Sequence, residues 1–294
     1  MSVALLATVL LSVVIGLSLG LLGGGGSILT VPILTYVAGL DAKEAIAASL
    51  FVVGVTSAVS AIDHARKGRV KWRTGLIFGA AGMAGAFGGG LLGGRIPGTI
   101  LMIAFALMMV ATSIAMIRGR KGKTRASTND GELPIGKVIV EGLIVGLVTG
   151  LVGAGGGFLV VPALALLGGL SMPIAVGTSL VVIALKSFAG LAGYLTTVTL
   201  DWGLIAAVTA AAVLGSLIGS RLAGRIPEAA LRKGFGIFVL VMGVFVLVQE
   251  LPDPWGSALA VTAGILAVAA AACWFFLPHC PLRTPLNRRT AEAH

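Results

Sequence analysis

The sequence predicts an all-α polytopic membrane protein: two tandem repeats in inverted topology, with glycine-broken or re-entrant helices and about eight to nine transmembrane helices. Three observations carry that prediction: scarce charge, recurring apolar runs and an ungapped internal register. Hydrophobic residues fill 57% of the 294 positions, charged residues only 11%, and the mean hydropathy is +1.06. A water-exposed surface needs more polar cover than this. Lipid is therefore the solvent.

An apolar run of about 20 residues is long enough to cross roughly 30 Å of hydrocarbon. Such runs recur at 3–22, 45–62, 75–94, 99–117, 138–153, 174–197, 203–220, 234–248 and 257–277. The first has no Lys or Arg ahead of it and a glycine tract where a cleavage site would stand, so it reads as retained rather than as a signal peptide. The net charge of +10 sits in short loops between spans, where positive-inside topology accounts for it, and no nucleic-acid partner is expected. Cys273 and Cys280, with His279 beside the second, read as incidental residues at a helix end. No metal or cofactor is expected.

The repeat follows from a shift of 130 residues. Gly20–Pro32, GLLGGGGSILTVP, aligns without a gap on Gly150–Pro162, GLVGAGGGFLVVP. The same shift carries Ser49 onto Ser179, Ser57 onto Ser187, Trp72 onto Trp202, and Arg95-Ile96-Pro97 onto Arg225-Ile226-Pro227. A register held this long marks a tandem duplication. The expected organisation is a first transmembrane repeat at 1–117, a basic cytoplasmic linker at 118–137, a second repeat at 138–250, and an extra span with a basic tail at 251–294.

Charge orients the repeats. Arg66, Lys67, Arg69, Lys71 and Arg73 fill one first-half loop, whereas the matching stretch 193–203 carries only Asp201. The second half instead places Arg221, Arg225, Arg232 and Lys233 one loop later. If positive loops share one side, matching loops of the two halves face opposite sides, as in an inverted repeat. That requires an odd number of crossings per half, so the glycine segment must supply a broken element. A parallel repeat is the alternative.

Gly23–Gly26 interrupt one apolar stretch, and Gly153 with Gly155–Gly157 interrupt its copy; a short apolar piece with a Pro follows each. Irregular backbone at membrane depth is tolerated only where it is buried in protein or lines a polar cavity. Helix N-termini and successive glycine amides present N–H donors suited to an oxyanion. Gly24, Gly25, Gly26 and Ser27, with Gly155, Gly156 and Gly157, are thus candidate anion-binding residues; close helix packing is the plainer alternative. Packing is the expected role of Gly79, Gly82, Gly85, Gly89 and Gly93.

A polar cluster completes the candidate site. Thr178, Ser179, Lys186 and Ser187 lie inside an apolar stretch, and Ser179, Lys186 and Ser187 share a helical face. Lys186 is too deep to snorkel and reads as a substrate or coupling residue. It would neutralise a bound anion or carry a coupling proton; the structural alternative is an ion pair with Glu141. The first half offers Ser49, Thr56 and Ser57, so the site is expected to be chemically asymmetric.

The duplicated GLxGxGGxxLxVP element, the GTSL segment at 177–180 and the paired RIP elements at 95–97 and 225–227 resemble the TauE/SafE (sulfite exporter) family over about residues 5–250. The resemblance implies a bacterial inner-membrane transporter of about eight spans, exporting sulfite, sulfoacetate or related anions, with the span at 257–277 an addition to the usual length. The expected function is secondary transport of a small sulfur-containing oxyanion. Alternatives are a passive anion channel or a permease subunit of a larger complex. An enzyme is not expected: no Walker A pattern occurs, and the three histidines lie away from any acid cluster.

Overall fold

A computed structural model describes residues 3–22, 25–118, 135–153, 160–161, 164, 170, 172–222 and 228–252. The described elements are α1 (Val3–Leu22), a 3-10 segment (Gly25–Leu29), α2 (Thr30–Tyr36), α3 (Ala42–Arg66), α4 (Trp72–Gly93) and α5 (Gly98–Arg118) in the first half. The second half contributes α6 (Ile135–Val152), α7 (Met172–Tyr194), α8 (Trp202–Leu222) and α9 (Glu228–Glu250). Among the described residues every regular element is helical, which closes the backbone hydrogen bonds within each segment, as a hydrocarbon solvent demands. The expected span at 257–277 and the second short piece at 157–168 lie outside these residues, apart from Val160, Val161 and Leu164.

The outward faces are apolar where a water-soluble bundle would be charged. Leu6, Leu10 and Val14 on α1, Val140 and Ile144 on α6, and Ile237, Val241 and Phe245 on α9 recur at helical spacing and are exposed. The interior instead holds hydroxyls and one lysine. Four helices meet the length and hydropathy of a membrane span over Ala42–Arg66, Trp72–Gly93, Ile174–Tyr194 and Trp202–Leu222, and five shorter apolar helices accompany them. The chain is a multi-pass membrane protein.

Glycine contacts fix the helix directions. A Cβ at Gly85 would land on the Leu143 carbonyl and one at Gly89 on the Leu147 carbonyl, so α4 and α6 run parallel in backbone contact. Gly16 meets Ala212 and Gly20 meets Ser216, so α1 and α8 also run parallel. Gly75 meets Thr178 and Gly79 meets Leu185, which sets α7 parallel to α4. Across α3 and α7 the numbering reverses: Leu50 lies at Gly190, Phe188 at Gly54, and His64 at Gly177. These two helices are equivalents under the shift of 130, and they are antiparallel. The repeat is inverted.

The halves interlock, because the first helix of each packs on the third full-length helix of the other: α1 on α8, and α6 on α4. Since α1 and α3 point the same way, the chain between them must return across the bundle. The 3-10 segment and α2 do so, extending about 20 Å, and Tyr36 at the end of α2 donates to Glu250 Oε1 of α9 at 3.0 Å. The glycines expected to pack do pack; Gly93, for one, leaves room for the hydroxyl of Tyr194.

Candidate functional site

Gly153 ends α6 with φ +72°, a left-handed conformation that only glycine adopts without strain. Its amide bonds back to Thr149 O at 3.0 Å. A Cβ there would meet the Cα and side chain of Ile46, so the second glycine break starts hard against α3. Ser49 Oγ lies 2.6 Å from Gly153 O and 2.8 Å from Ile46 O, donating to this pair of carbonyls. At its first residue the break therefore offers α3 an acceptor. Gly155, Gly156 and Gly157 lie outside the described residues, as does Gly24.

In the first break, Gly25 and Gly26 belong to the 3-10 segment itself, so the helical path begins inside the tract rather than after it. Ser27 is fully buried. Because α1 and α6 run in opposite directions, the two breaks leave their helices at opposite ends of the bundle. That follows from the inversion.

The polar cluster divides by depth. The contacts between α3 and α7 bring positions near 55 and 185 level with each other, and these are equivalent positions of the repeat. The pseudo-two-fold axis therefore passes beside Thr56 and Lys186, near the middle of both helices. Ser57 and Ser187 sit at this level, buried, and among the described residues neither hydroxyl has a hydrogen-bond partner. Thr56 Oγ1 donates to Val52 O. Lys186 is 1% exposed, the only buried lysine or arginine among the described residues.

Ser49 is displaced from this level by eight residues of α3, about 12 Å along the helix, and Thr178 by the same number along α7 in the opposite sense. Thr178 Oγ1 accepts the Lys71 amide at 3.0 Å and holds the start of α4. Ser179 Oγ donates to Val176 O of its own helix at 2.8 Å. The structure thus puts Ser57, Lys186 and Ser187 at one depth, and sends Ser49, Thr178 and Ser179 toward the two ends.

The sequence reading left Glu141 as the structural partner of Lys186. The structure replaces it with Thr149 on α6. Lys186 Nζ donates to Thr149 Oγ1 at 3.1 Å, and that hydroxyl donates in turn to Val145 O at 2.7 Å. Among the described residues Lys186 makes no ion pair; Lys67–Asp63 at 2.6 Å is an exposed pair elsewhere. Gly82 of α4 lies beside the Lys186 side chain, where an added Cβ would make only ordinary contact at 3.8 Å. The returning segment adds two further buried hydroxyls without a partner among the described residues, Thr30 and Thr35. The reading missed Thr149, Thr30 and Thr35. For Thr149 a signal existed: its first-half counterpart is Leu19, an apolar-to-polar change between the copies.

An inverted repeat holds a buried lysine and unpartnered hydroxyls at mid-depth, and comparison with known proteins gives its class. The profile described as Sulfite exporter TauE/SafE matches residues 8–246. The chain belongs to the TauE/SafE family. A probable membrane transporter protein of Xylella fastidiosa (strain Temecula1) is 34% identical over 256 residues, covering 84% of this chain and 94% of its own. A probable membrane transporter protein of Methanocaldococcus jannaschii is 30% identical over 260 residues, covering 81% and 94%. The probable membrane transporter protein YdhB of Bacillus subtilis is 27% identical over 241 residues, covering 81% and 98%. No solved structure matches the chain. This TauE/SafE protein is accordingly a membrane transporter.

Proposed function

We propose that the protein is a secondary exporter of a small sulfur-containing oxyanion, such as sulfite or a sulfonate, working by alternating access around the Lys186 level. The observation that carries this reading is the Lys186 amine, buried at mid-depth with one hydrogen bond to Thr149 and no ion pair among the described residues. A buried cation without a carboxylate is costly, and the cost is offset when an anion binds beside it. Ser57 and Ser187 supply two hydroxyl donors at the same depth, which suits the oxygens of a compact oxyanion. The amides of the two glycine breaks, Gly25 and Gly26 among the described residues, serve the solute toward either end of its path rather than at this level.

Orientation follows from the loops. Arg66, Lys67, Arg69, Lys71, Arg118 and Arg221 gather at one end of the bundle, whereas Asp41, Glu44, Asp201 and Glu250 stand at the other. The basic end is cytoplasmic. The match of residues 8–246 to the sulfite exporter TauE/SafE family supports the substrate class.

The test is flux from proteoliposomes holding this protein alone, with sulfite, sulfate, thiosulfate, sulfoacetate and acetate compared with and without a pH gradient. Saturable flux of a sulfur oxyanion, absent with acetate, is expected. Acceleration by the gradient would assign Lys186 a coupling proton. Flux that never saturates and shows no counterflow would instead make the protein a channel, and no flux at all would make it a subunit that needs others.

A further inference from the structure

The two equivalent helix seams of an inverted repeat should match, and here they do not. α7 closes on α4 at the non-basic end through glycine-to-backbone contacts: a Cβ at Gly90 would land on the Gly190 carbonyl, and one at Gly193 would meet Phe87 O and Leu91 N. The equivalent seam is α3 with α8 at the basic end. There Gly190, Gly193 and Gly90 are replaced by Ser60, Asp63 and Ser220, and the helices part around a cavity of about 320 Å³. Arg66, Lys67, Arg221, Asp63 and Ser220 line it with Val59, Ile62 and Leu217, and the exposed Ile62 and Leu217 make it a groove open along the outer face of the seam. Lys67 is neutralised by Asp63 at 2.6 Å, while Arg66 and Arg221 make no ion pair among the described residues. Below the cavity, Ser60 Oγ and Ser216 Oγ approach to 3.5 Å across the seam, and Ser57 follows one turn deeper on α3.

We infer that the α3–α8 cavity is a cytoplasmic access site for small oxyanions, in which Arg66 and Arg221 gather the anion and the Ser60–Ser216 contact is the constriction above the Lys186 site. This rests on the transport reading given above. A basic cleft with apolar walls concentrates anions and raises their rate of capture. The counterparts of Arg66 and Arg221 at the opposite seam are Thr196 and Leu91, so neither arginine has a charged equivalent there. The α3–α8 seam is parted at the basic end and the α4–α7 seam is closed at the other, while the Ser60–Ser216 contact and the burial of Lys186 keep the solute site shut; the inverse conformation exchanges the roles of the two seams.

The experiment uses proteoliposomes of the full chain with Cys273 and Cys280 changed to Ser. Arg66→Gln with Arg221→Gln should raise the KM for sulfite about tenfold at low ionic strength, with maximal flux retained and the difference shrinking at high salt. Ser220→Cys should react with a membrane-impermeant thiol reagent from the Arg69 side only, and sulfite should slow that reaction. Linking Ser60→Cys to Ser216→Cys with a short reducible reagent should stop flux, and reduction should restore it. An unchanged KM, or Ser220→Cys reacting from the far side, overturns the access site while wild-type flux upholds the transport reading. A KM effect confined to vesicles containing phosphatidylglycerol, and absent in phosphatidylcholine, assigns the arginines to a lipid headgroup and also overturns it. If wild-type protein carries none of the sulfur anions, the transport reading fails and takes the access site with it.

Discussion

Lys186 Nζ donates to Thr149 Oγ1 at 3.1 Å, and both residues break the repeat at once, their first-half counterparts being Thr56 and Leu19. Two departures from symmetry that touch each other indicate a task done by one half only. Lys186→Met should lower flux by about 100-fold, the scale of one charge-assisted hydrogen bond. Stability should hold or rise, because an apolar side chain of similar volume removes a buried charge. Thr149→Val in the wild-type background should cost about 1–3 kcal/mol by leaving the ammonium unpaired, and nothing once Lys186 is Met. Thr149→Ser should restore the bond. Thermal unfolding in detergent alongside flux separates these outcomes; loss of fold in Lys186→Met would make the lysine structural.

The two unpartnered serines predict a different sign. Ser57 and Ser187 are buried with no hydrogen bond among the described residues, so Ser57→Ala and Ser187→Ala remove no native contact. Stability should stay within about 0.5 kcal/mol or improve. If these hydroxyls serve the solute, each change should still cut flux by about tenfold through KM. Equal flux with unchanged KM would take both serines out of the site.

The glycines of α4 divide into tight and idle positions. A Cβ at Gly85 collides with the Leu143 carbonyl, whereas one at Gly88 meets nothing within 4 Å. Gly85→Val should part α4 from α6 and yield protein that fails to emerge as a single species by size exclusion. Gly88→Ala should be tolerated and, by helix propensity, gain up to about 1 kcal/mol. Equal behaviour of the two variants would contradict the backbone contact.

Much of this was legible in the sequence, for a physical reason. A hydrocarbon solvent forces every span to be long, apolar and helical, so the runs at 75–94 and 203–220 closely anticipate Trp72–Gly93 and Trp202–Leu222. The inversion was legible because loop charge follows side, and Asp201 stands where the first half has Lys71. Depth was not legible. Thr178, Ser179, Lys186 and Ser187 form one stretch of sequence, but the helix rise carries Thr178 to the end of the bundle, where Lys71 claims it. The partner of Lys186 was also hidden: similarity between halves drew the reading to shared residues, while Thr149 shows itself only where the halves differ.

The inversion gives the sharpest topological test. Arg69 and Thr199 are equivalent under the shift of 130, both are exposed, and both lie in the turns that follow equivalent helices, α3 and α7. Because those helices are antiparallel, the two turns emerge at opposite ends. With Cys273 and Cys280 changed to Ser, a single cysteine at position 69 should react with an impermeant reagent only from the cytoplasm, and one at 199 only from outside. A parallel duplication would send both turns to the same side, whatever the residues around Lys186 do. Labelling of both from one face would therefore reject the α3–α7 crossing, and with it the common depth of Ser57, Lys186 and Ser187.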